Sequence, residues 1–599
     1  MTSDFYENEK FNNTEKQVSY KQAFMKLLPF LKEHSRGLWL SLFLLAGTTL
    51  LSLLWPILLR RALDVDIANG NFKALLFTVG LIGLVQVVTV VLQYLMRVKL
   101  EIIGQDVMIS LKRRLFHHIL SLDVGFFDKN PVGRLMARVE SDTEALRMMF
   151  TNTVVMLVGD LLLVVGIYSI LFYFNWKLAL VLFINIPIIG LLVWIFHRKT
   201  THRFFEVRKK MAEVTARLAE FLHGMSIVQI FHRGAYARRK IYEANEAKFK
   251  DDVYVNVAVI MFFNTVFFFE YIKIGLVLIL GPIFGVTYGT IMMFIIYIWR
   301  SFEPLFRTSE QLSTFQKAVA GSKRIFSLLS EESRIKQPEN PIEWHGLKDR
   351  IKFDRVTFSY TDDDNYVLKD VSFEVEKGKR IALVGVTGGG KSTVINLMLR
   401  YYDPQIGSIS IDNINIKDIP LEQLRSKFAL VLQDIVLFPG DVKSNISLES
   451  DSISFERIKQ AAETVDADRF INRLSDGYDT EVSEKGANFS RGERQLLSFA
   501  RALAFDPDIL VLDEATSSVD PETERVIQKS LKKLMEGRTS LIIAHRLSTI
   551  LDVDEILVIK QGEIIERGNH LELIQLEGYY SKLFHLQFKN KNGAYSNAG

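Results

Sequence analysis

The feature that most constrains the fold is a series of long apolar stretches in the first half of the chain. Four of them, at 38–59, 74–96, 154–175 and 177–196, hold about the 20 residues that a helix needs to cross the hydrocarbon core of a bilayer. Two longer stretches, near 254–281 and 287–308, continue the series, although charged residues interrupt both. The series therefore predicts six transmembrane helices rather than a buried soluble core.

Basic residues are distributed unequally between the loops that join these helices. The segments 98–152 and 197–252 hold 8 and 13 Lys or Arg residues, against 4 on the opposite side. Because Lys and Arg are enriched in cytoplasmic loops, both segments and both termini are predicted to be cytoplasmic. Helical spacing of apolar residues in 102–121 indicates that the membrane helices continue past the bilayer, up to a short non-helical bend at 126–131.

Several features of this half have two interpretations. The segment 20–33 is either an amphipathic helix at the membrane interface or a solvated lead-in to the first helix. Glu270 and Lys273 form either a cavity-lining or gating pair or, more simply, a structural ion pair, and Asp160 has the same two interpretations. Phe and Met residues in 261–269 suit varied apolar ligands, or they pack helices and face lipid.

Composition and charge exclude several classes of protein. The chain contains no cysteine, which excludes disulfide frameworks, thiolate zinc sites and cysteine nucleophiles. The formal net charge is only +4 over 599 residues, without blocks of like charge, so nucleic acid is not an expected partner. The polar N-terminal region shows no cleavable signal peptide.

The second half has the pattern of a soluble α/β domain. Polar residues increase from about residue 330, and from Ile351 short β-rich runs alternate with helical segments. We therefore divide the chain into an N-terminal tail (1–19), a transmembrane domain (20–328), a linker (329–348), an α/β domain (349–588) and a C-terminal tail (589–599).

A glycine-rich loop in this domain follows a buried strand at 380–384 and precedes a helical pattern. The loop matches GxxxxGK[ST], in which backbone N–H groups turn toward phosphate oxygens and the helix start adds positive potential. Lys391 is placed to reach the β- and γ-phosphates, and the Ser392 hydroxyl is placed to coordinate Mg²⁺. The predicted nucleotide contacts here are Gly385, Val386, Thr387, Gly388, Gly389, Gly390, Lys391, Ser392 and Thr393.

Two further apolar strands end in residues that suit phosphate chemistry. The strand at 509–512 is followed by Asp513, which fits Mg²⁺ coordination, and by Glu514, which can polarise the attacking water as general base. The strand at 540–543 is followed after Ala544 by His545, which is placed to contact the γ-phosphate and the attacking water. The pattern predicts a nucleotide-hydrolysing domain.

Together the two halves resemble a half-transporter of the ATP-binding-cassette (ABC) exporter family, over residues 20–585. The resemblance implies a type-1 exporter (type IV) fold: an all-α membrane domain with six transmembrane helices and long cytoplasmic extensions, fused to an α/β P-loop ATPase domain. It implies a dimer of two halves that uses ATP and Mg²⁺ to export amphiphilic small molecules, such as drugs, lipids or peptides. The implied location is a bacterial plasma membrane, with the cassette in the cytoplasm.

The same resemblance assigns further positions. Tyr360 resembles the aromatic residue that stacks on adenine, and Gln433 resembles the glutamine that touches Mg²⁺ and links the cassette to the cytoplasmic loops. The run 518–520 resembles the loop that crosses to the partner cassette. The bends near 124–131 and 222–232 would be the coupling elements that dock on the cassettes.

The family signature LSGGQ corresponds here to Phe489-Ser490-Arg491-Gly492-Glu493 and differs at three of five positions. Ser490 and Gly492 keep part of the phosphate-facing edge, whereas Arg491 replaces a glycine and Glu493 adds a negative charge. Because the signature of one half covers the ATP held by the other, this change should weaken the partner's site. The resemblance is therefore to the catalytic-glutamate-bearing member of a heterodimeric multidrug exporter. The alternatives are a homodimeric lipid or peptide exporter and an ATP-gated channel on the same fold.

Overall fold

The computed structural model of the chain describes residues 32, 34–361, 365–513, 521–544, 550–551 and 553–592. The predicted tail 1–19, nearly all of 20–33, and the predicted site residues Glu514, 518–520 and His545 lie outside the described residues. The chain divides into two compact units, which are Met1–Ser121 with Pro131–Glu331, and Leu122–Asn130 with Glu332–Gly599. The division after Glu331 falls inside the predicted linker 329–348.

Residues 34–331 form long helices joined by short turns. In chain order the helices are α1 (Ser35–Ile67), α2 (Phe72–Leu120), α3 (Val124–Lys129), α4 (Val132–Phe174), α5 (Trp176–His223), α6 (Met225–Ile230), α7 (Gly234–Ile283) and α8 (Tyr288–Leu328). Helix α1 ends in a π-helical segment (Ala62–Ile67), and α4 contains two more (Arg138–Asp142 and Met149–Thr153).

Polar caps set the turns between the long helices. The side chain of Asn71 accepts a hydrogen bond from the backbone N–H of Ala74 at 3.1 Å and starts α2. Asn175, which separates α4 from α5, accepts in the same way from the N–H of Leu178 at 3.0 Å. Asn and Thr at N-caps satisfy N–H groups that the helix itself leaves unpaired. The apolar runs are thus divided where the sequence places a capping residue.

Within the described residues, five helices are long and apolar enough to cross a membrane: α1, α2, α4, α5 and α7. Helix α8 has 41 residues but carries Arg300, Glu303 and Arg307 in its apolar region, so its crossing remains a prediction from the sequence. The predicted helical continuation through 102–121 is confirmed, because α2 runs unbroken to Leu120.

The predicted non-helical bend at 126–131 is wrong for most of its length. Phe126, Phe127 and Asp128 belong to the short helix α3, which Asp123 caps by accepting from the N–H of Phe126 at 2.9 Å. Pro131 stands at the start of the next helix in an extended conformation. A capping aspartate before the aromatic pair therefore restarts the helix, and the chain turns on either side of α3.

Small residues let the membrane helices pack closely. A Cβ at Gly104 of α2 would overlap the side chain of Thr151 in α4. Along α4, Gly159 lies against Leu45 and Gly166 lies against Leu53, both on α1. Close approach of backbones at glycines is a recurrent way of joining helices where no water drives association.

The second unit is built on three sheets. Its strands are β1 (Arg350–Phe358), β2 (Leu368–Glu376), β3 (Arg380–Val384), β4 (Ile406–Ile411), β5 (Ile414–Asn415), β6 (Phe428–Val431), β7 (Gly440–Asp441), β8 (Glu481–Val482), β9 (Ile509–Asp513), β10 (Thr539–Ile543), β11 (Glu555–Lys560) and β12 (Glu563–Gly568). The central sheet has the order β12-β11-β3-β10-β9-β6, with parallel pairing except between β11 and β12. An antiparallel sheet has the order β2-β1-β4-β5, and β7 pairs with β8.

Both faces of the central sheet are buried, as expected for a parallel sheet. Ala382, Leu510 and Ile542 face one core, and Ile381 and Val511 face the other. The α-helices of this unit whose bounds the structure describes are α9 (Lys391–Met398), α10 (Leu421–Ser426), α11 (Val442–Ser447), α12 (Phe455–Thr464), α13 (Asp468–Ile471), α14 (Arg491–Ala504), α15 (Pro521–Met535), α16 (His570–Gln575) and α17 (Tyr579–Asn592).

The end of the predicted linker is part of this domain. Trp344 and Leu347 are buried in the core shared by β1, β4 and α9. Asp412 holds this segment by accepting from the indole N–H of Trp344 at 3.1 Å and from the N–H of Asp349 at 2.6 Å. Burial alone would raise the pKa of Asp412, but these hydrogen bonds hold it below its ordinary value.

Candidate functional site

The glycine-rich loop connects β3 to α9 along a path that side chains would obstruct. Gly388 and Gly390 have φ values of 79° and 107°, a left-handed region that favours glycine. A Cβ at Gly385 would overlap the carbonyl oxygen of Ile559, and one at Gly390 would lie 2.7 Å from a methyl group of Leu368. Glycine at these positions lets the backbone N–H groups face a phosphate.

Lys391 begins α9, and its side chain returns across the loop. The residue is 6% exposed, and its Nζ donates to the carbonyl oxygens of Gly385 and Val386, both at 2.9 Å. Burial lowers the pKa of Lys391, and the negative charge of Asp513 opposes that shift. The ammonium therefore lies in the loop and within the electrostatic field of the predicted Mg²⁺ ligand.

The sheet order gathers the other predicted residues at one edge. Strands β3, β10, β9 and β6 are neighbours and parallel, so their carboxyl ends share that edge. Asp513 ends β9, and Gln433 follows β6 on an exposed turn. Ser392 is exposed in the first turn of α9. Glu514 and His545 follow the ends of β9 and β10 in sequence.

Tyr360 lies beside the start of α9. Its hydroxyl donates to Oγ1 of Thr393 at 3.2 Å and accepts from Nδ2 of Asn396 at 3.0 Å. The ring makes an edge-on contact with Tyr402, with centroids 5.0 Å apart. Sequence analysis missed Asn396 and Tyr402, and the aromatic run at 401–402 just beyond α9 was the available signal.

The signature segment forms the N-terminus of α14. Ser490 is the N-cap: its Oγ accepts from the N–H of Glu493 at 3.3 Å, and its own N–H donates to Oε2 of Glu493 at 2.8 Å. The two bonds form a reciprocal capping box. The carboxylate of Glu493, which the sequence analysis treated only as an added negative charge, therefore stabilises the start of the helix. Gly492 is buried, and a Cβ there would overlap Thr523 of α15. Ser490 and Gly492 thus keep structural roles at this helix start.

A second candidate site is a cavity of about 940 Å³ among α1, α2, α4 and α8. Its walls combine apolar side chains with three arginines (Arg97, Arg300, Arg307) and three acids (Glu101, Asp160, Glu303). Asp160 pairs with Arg307 at 2.9 Å, which places it on the cavity wall. Arg300 donates to the backbone oxygen and the hydroxyl of Ser52.

Glu270 and Lys273 form a different kind of pair. They are 0% and 3% exposed, respectively, they contact each other along α7, and neither lines this cavity. Lys273 also lies 6.0 Å from the ring centroid of Phe302. This arrangement favours the structural ion pair over the cavity-lining interpretation.

Comparison with known proteins bears on both units. Two protein-family models match the chain: that of the ABC transporter transmembrane region over residues 38–300, and that of the ABC transporter over residues 368–517. The probable multidrug resistance ABC transporter ATP-binding/permease protein YheH of Bacillus subtilis is 37% identical over 531 residues, covering 87% of this chain and 78% of that protein. The chain belongs to the ABC transporter family.

A second relative and a solved structure support the same family assignment for this ABC transporter. The ATP-dependent lipid A-core flippase of Desulfotalea psychrophila is 35% identical over 502 residues, covering 83% of this chain and 87% of that protein. The structure of a bacterial Atm1-family ABC exporter with ATP bound matches with a TM-score of 0.74 at 26% identity, covering 95% of this chain and 99% of that one. The predicted type IV exporter fold is confirmed, and the protein is a multi-pass membrane exporter that binds ATP and couples its hydrolysis to transport.

Proposed function

We propose that this chain is the catalytic-glutamate-bearing half of a heterodimeric exporter of amphiphilic small molecules. The observation that carries the proposal is the combination within one cassette of an intact lysine-bearing phosphate loop and an altered signature. The loop around Lys391 would serve this chain's own ATP, whereas the signature at Ser490 would cover ATP held by the partner. One competent site and one weakened site are then expected per dimer.

In the competent site each residue has a separate role. Lys391 would hold the β- and γ-phosphates, and Tyr360 would stack on the adenine. Ser392, Asp513 and Gln433 offer the oxygen donors that Mg²⁺ prefers. Mg²⁺ would arrive with ATP and keep several water ligands.

Hydrolysis would depend on two residues beyond the ends of β9 and β10. Glu514 would act as general base toward water, and His545 would contact the γ-phosphate. ATP would clamp the two cassettes together, and hydrolysis would release them. The cargo need only bind the inward-facing and outward-facing states with different affinity for transport to have a direction.

The weakened site follows from the chemistry at the start of α14. Arg491 replaces a glycine at the first helical position, where a backbone would have to approach the partner's nucleotide closely. Glu493 places a carboxylate at the same helix start, and its hydrogen bonds to Ser490 keep that charge there. A carboxylate beside a triphosphate repels it, so the partner's ATP would be held less productively.

The cavity supports an amphiphilic cargo. Apolar residues such as Leu45 and Met96 share its wall with Arg97 and Glu303. Ligand sites of this kind combine apolar surface for a tail with a few charges that orient a head group. The excess of Lys and Arg in 98–152 and 197–252 supports a cytoplasmic cassette in a bacterial plasma membrane.

The composition of the dimer can be tested by purifying the chain alone and together with a candidate partner half-transporter from the same genome, each in lipid nanodiscs. We expect amphiphile-stimulated ATPase activity only from the pair. Full stimulated activity from the lone chain would support a homodimer and contradict the heterodimer.

The cavity can be tested with a matched pair of charge removals on α2. Arg97→Gln removes a cavity-lining charge, whereas Lys99→Gln removes the same charge from an exposed position that does not line the cavity. We expect Arg97→Gln alone to change the amphiphile concentration that gives half-maximal ATPase stimulation. Equal responses of the two variants would contradict this assignment of the binding site.

A further inference from the structure

The wall of the cavity among α1, α2, α4 and α8 carries hydrogen-bond donors that the described residues do not satisfy. Arg307 of α8 uses Nη2 to pair with Asp160 at 2.9 Å and with Glu303 at 3.7 Å. Its Nε is buried and has no hydrogen-bond partner among the described residues. The hydroxyl of Thr153, a buried residue of α4 on the same wall, likewise has none within that part of the chain. A buried donor without an acceptor lowers stability, so both groups favour a ligand that supplies acceptors.

The acids of this wall, in contrast, are engaged with arginines. Asp160 and Glu303 share the guanidinium of Arg307. Glu101 of α2 forms an ion pair with Arg147, a residue of α4 that does not line the cavity. Each of the three acids on the wall therefore has an arginine partner. A cationic head group would have to break one of these ion pairs in order to bind.

Two further arginines of the wall form no ion pair with a carboxylate of the described residues. Arg97 of α2 is exposed on the wall. Arg300 of α8 has as its hydrogen-bond partners, in the described part of the chain, the backbone oxygen and the hydroxyl of Ser52. The charges of the wall without an ion-pair partner are thus both positive. Arginine presents a planar set of donors that matches the oxygens of a phosphate or a carboxylate.

The local helix geometry presents these groups to the cavity. The lining part of α4 includes the π-helical segment Met149–Thr153, and π-helical turns within α-helices are frequent at functional sites. Apolar side chains from three helices share the wall, namely Leu45, Met96 and Leu163. The lining residues of α8 recur every three or four positions and so share one face of that helix: Arg300, Glu303, Arg307, Gln311 and Thr314.

We propose that the cavity binds amphiphiles whose head group is an oxyanion such as a phosphate, and that Arg307 and Thr153 donate to that head group. This inference rests on the proposed function in one respect, namely that the cavity takes an amphiphile, and it adds the charge of the cargo. Arg97 and Arg300 supply positive charge, and the apolar side chains receive the tail. Hydrogen bonds to charged oxygens are stronger than bonds between neutral groups, so an anionic head is preferred to a neutral one on the same tail.

Equilibrium dialysis of the full-length protein in phosphatidylcholine nanodiscs measures this preference, with the uptake of empty nanodiscs subtracted. The probes share a dodecyl tail and differ in the head group: dodecyl phosphate, dodecyl maltoside and dodecyltrimethylammonium, each at concentrations that leave the nanodiscs intact. We expect the Kd of dodecyl phosphate to be lower than the other two by about tenfold or more. Equal affinities, or tighter binding of the cationic probe, would overturn the proposal.

Thr153→Val removes the unpartnered hydroxyl and nearly keeps the shape of the side chain. We expect it to weaken the binding of dodecyl phosphate by about tenfold and to leave the binding of dodecyl maltoside unchanged. Thr89→Val is the matched control, because Thr89 is buried on α2, donates to the carbonyl oxygen of Val85 at 2.7 Å and does not line the cavity. An unchanged Kd for dodecyl phosphate in Thr153→Val, or equal weakening in the control, would overturn the proposal.

Removing Arg307 alone would leave Asp160 without its ion-pair partner, so the two are neutralised together. Arg307→Gln combined with Asp160→Asn keeps two side chains that can hydrogen-bond to each other and removes the guanidinium. This double variant should lose most of the preference for dodecyl phosphate over dodecyl maltoside, and a retained preference would contradict the role of Arg307. Inorganic phosphate at the same concentration should not displace dodecyl phosphate, because it has no tail. Displacement would assign the site to free phosphate and overturn the proposal.

The results separate this inference from the proposed function. Tighter binding of dodecyltrimethylammonium, together with stimulation of ATP hydrolysis by that probe, would overturn the oxyanion preference and leave the export of amphiphiles supported. If dodecyl phosphate bound with the expected preference and the expected loss in Thr153→Val, but no amphiphile stimulated hydrolysis by the pair, the oxyanion site would be supported and the export of amphiphiles would be contradicted.

Discussion

Replacing Lys391 by methionine removes the most specific contact of the nucleotide site with little change in packing. Methionine keeps a long side chain at a position that is 6% exposed, so α9 should remain in place. The substitution removes an ammonium that donates to the carbonyl oxygens of Gly385 and Val386, both at 2.9 Å.

The expected loss follows from the hydrogen bonding of this ammonium to ATP. Lys391 would donate to negatively charged phosphate oxygens, and a hydrogen bond to a charged group contributes about 1.5 to 3 kcal/mol. Losing one such bond corresponds to a Kd for ATP weaker by about 10- to 150-fold.

Calorimetric titration of ATP into the full-length protein in nanodiscs would measure this Kd. Lys377→Met is the control, because it removes the same charge from an exposed position in the same domain. A Kd for Lys391→Met within about threefold of the unsubstituted value would refute the reasoning. Equal weakening in the control would show that overall charge, rather than the loop, governs ATP binding.

Three other substitutions test separate parts of the account. Glu514→Gln should keep ATP binding and lower hydrolysis by at least about a hundredfold, as expected for loss of a general base, and near-normal turnover would contradict that role. Glu493→Ala should cost about 1 kcal/mol by breaking the capping box with Ser490, seen as a Tm lower by a few degrees, whereas Glu493→Gln should keep the Tm. Asp412→Asn should lower the Tm by a similar amount at neutral pH. The hydrogen bonds of Asp412 hold its pKa below the ordinary value for an aspartate. Its carboxylate therefore stabilises the fold fully at pH values above that ordinary pKa, and this stabilisation is lost as the pH falls through the lowered pKa. The Tm difference between the unsubstituted protein and Asp412→Asn should accordingly narrow only in acid. A difference that is independent of pH would contradict this.

The parts of the fold that the sequence predicted well are those that local pattern determines. The six predicted apolar stretches lie in six different long helices, α1, α2, α4, α5, α7 and α8, most of which extend well beyond the stretch. A bilayer requires about 20 apolar residues in succession, and that length alone locates these helices in the sequence. The strand before Gly385 and the strand ending at Asp513 were predicted because both faces of a parallel sheet are buried and the runs are continuously apolar. At both places the local sequence and the overall fold agree.

The parts that the sequence did not predict depend on contacts between distant segments. The helix α3 was missed because it has only six residues and turns flank it on both sides. Its only sequence signal is the capping residue Asp123. Trp344 was assigned to a linker because its burial depends on Asp412, which lies 68 residues further along the chain. The capping role of Glu493 was missed because it depends on the spacing of three residues from Ser490. Alignment with the family signature draws attention only to the added negative charge.

The position of Asp160 likewise depends on a contact between distant segments of the chain. Asp160 had two interpretations in the sequence, since nothing there indicated its partner Arg307, which lies 147 residues away. The tertiary contact places Asp160 on the wall of a cavity rather than in a packed interface.

The central claim is that ATP held at Lys391 drives export, and it is tested most directly in inside-out vesicles that contain the chain and its partner. The measurement is accumulation of a fluorescent amphiphile in the vesicle lumen, with and without ATP, for the unsubstituted pair and for Lys391→Met. The account predicts ATP-dependent accumulation against the gradient that Lys391→Met largely abolishes. Equal accumulation by both proteins, or accumulation that does not depend on ATP, would contradict it.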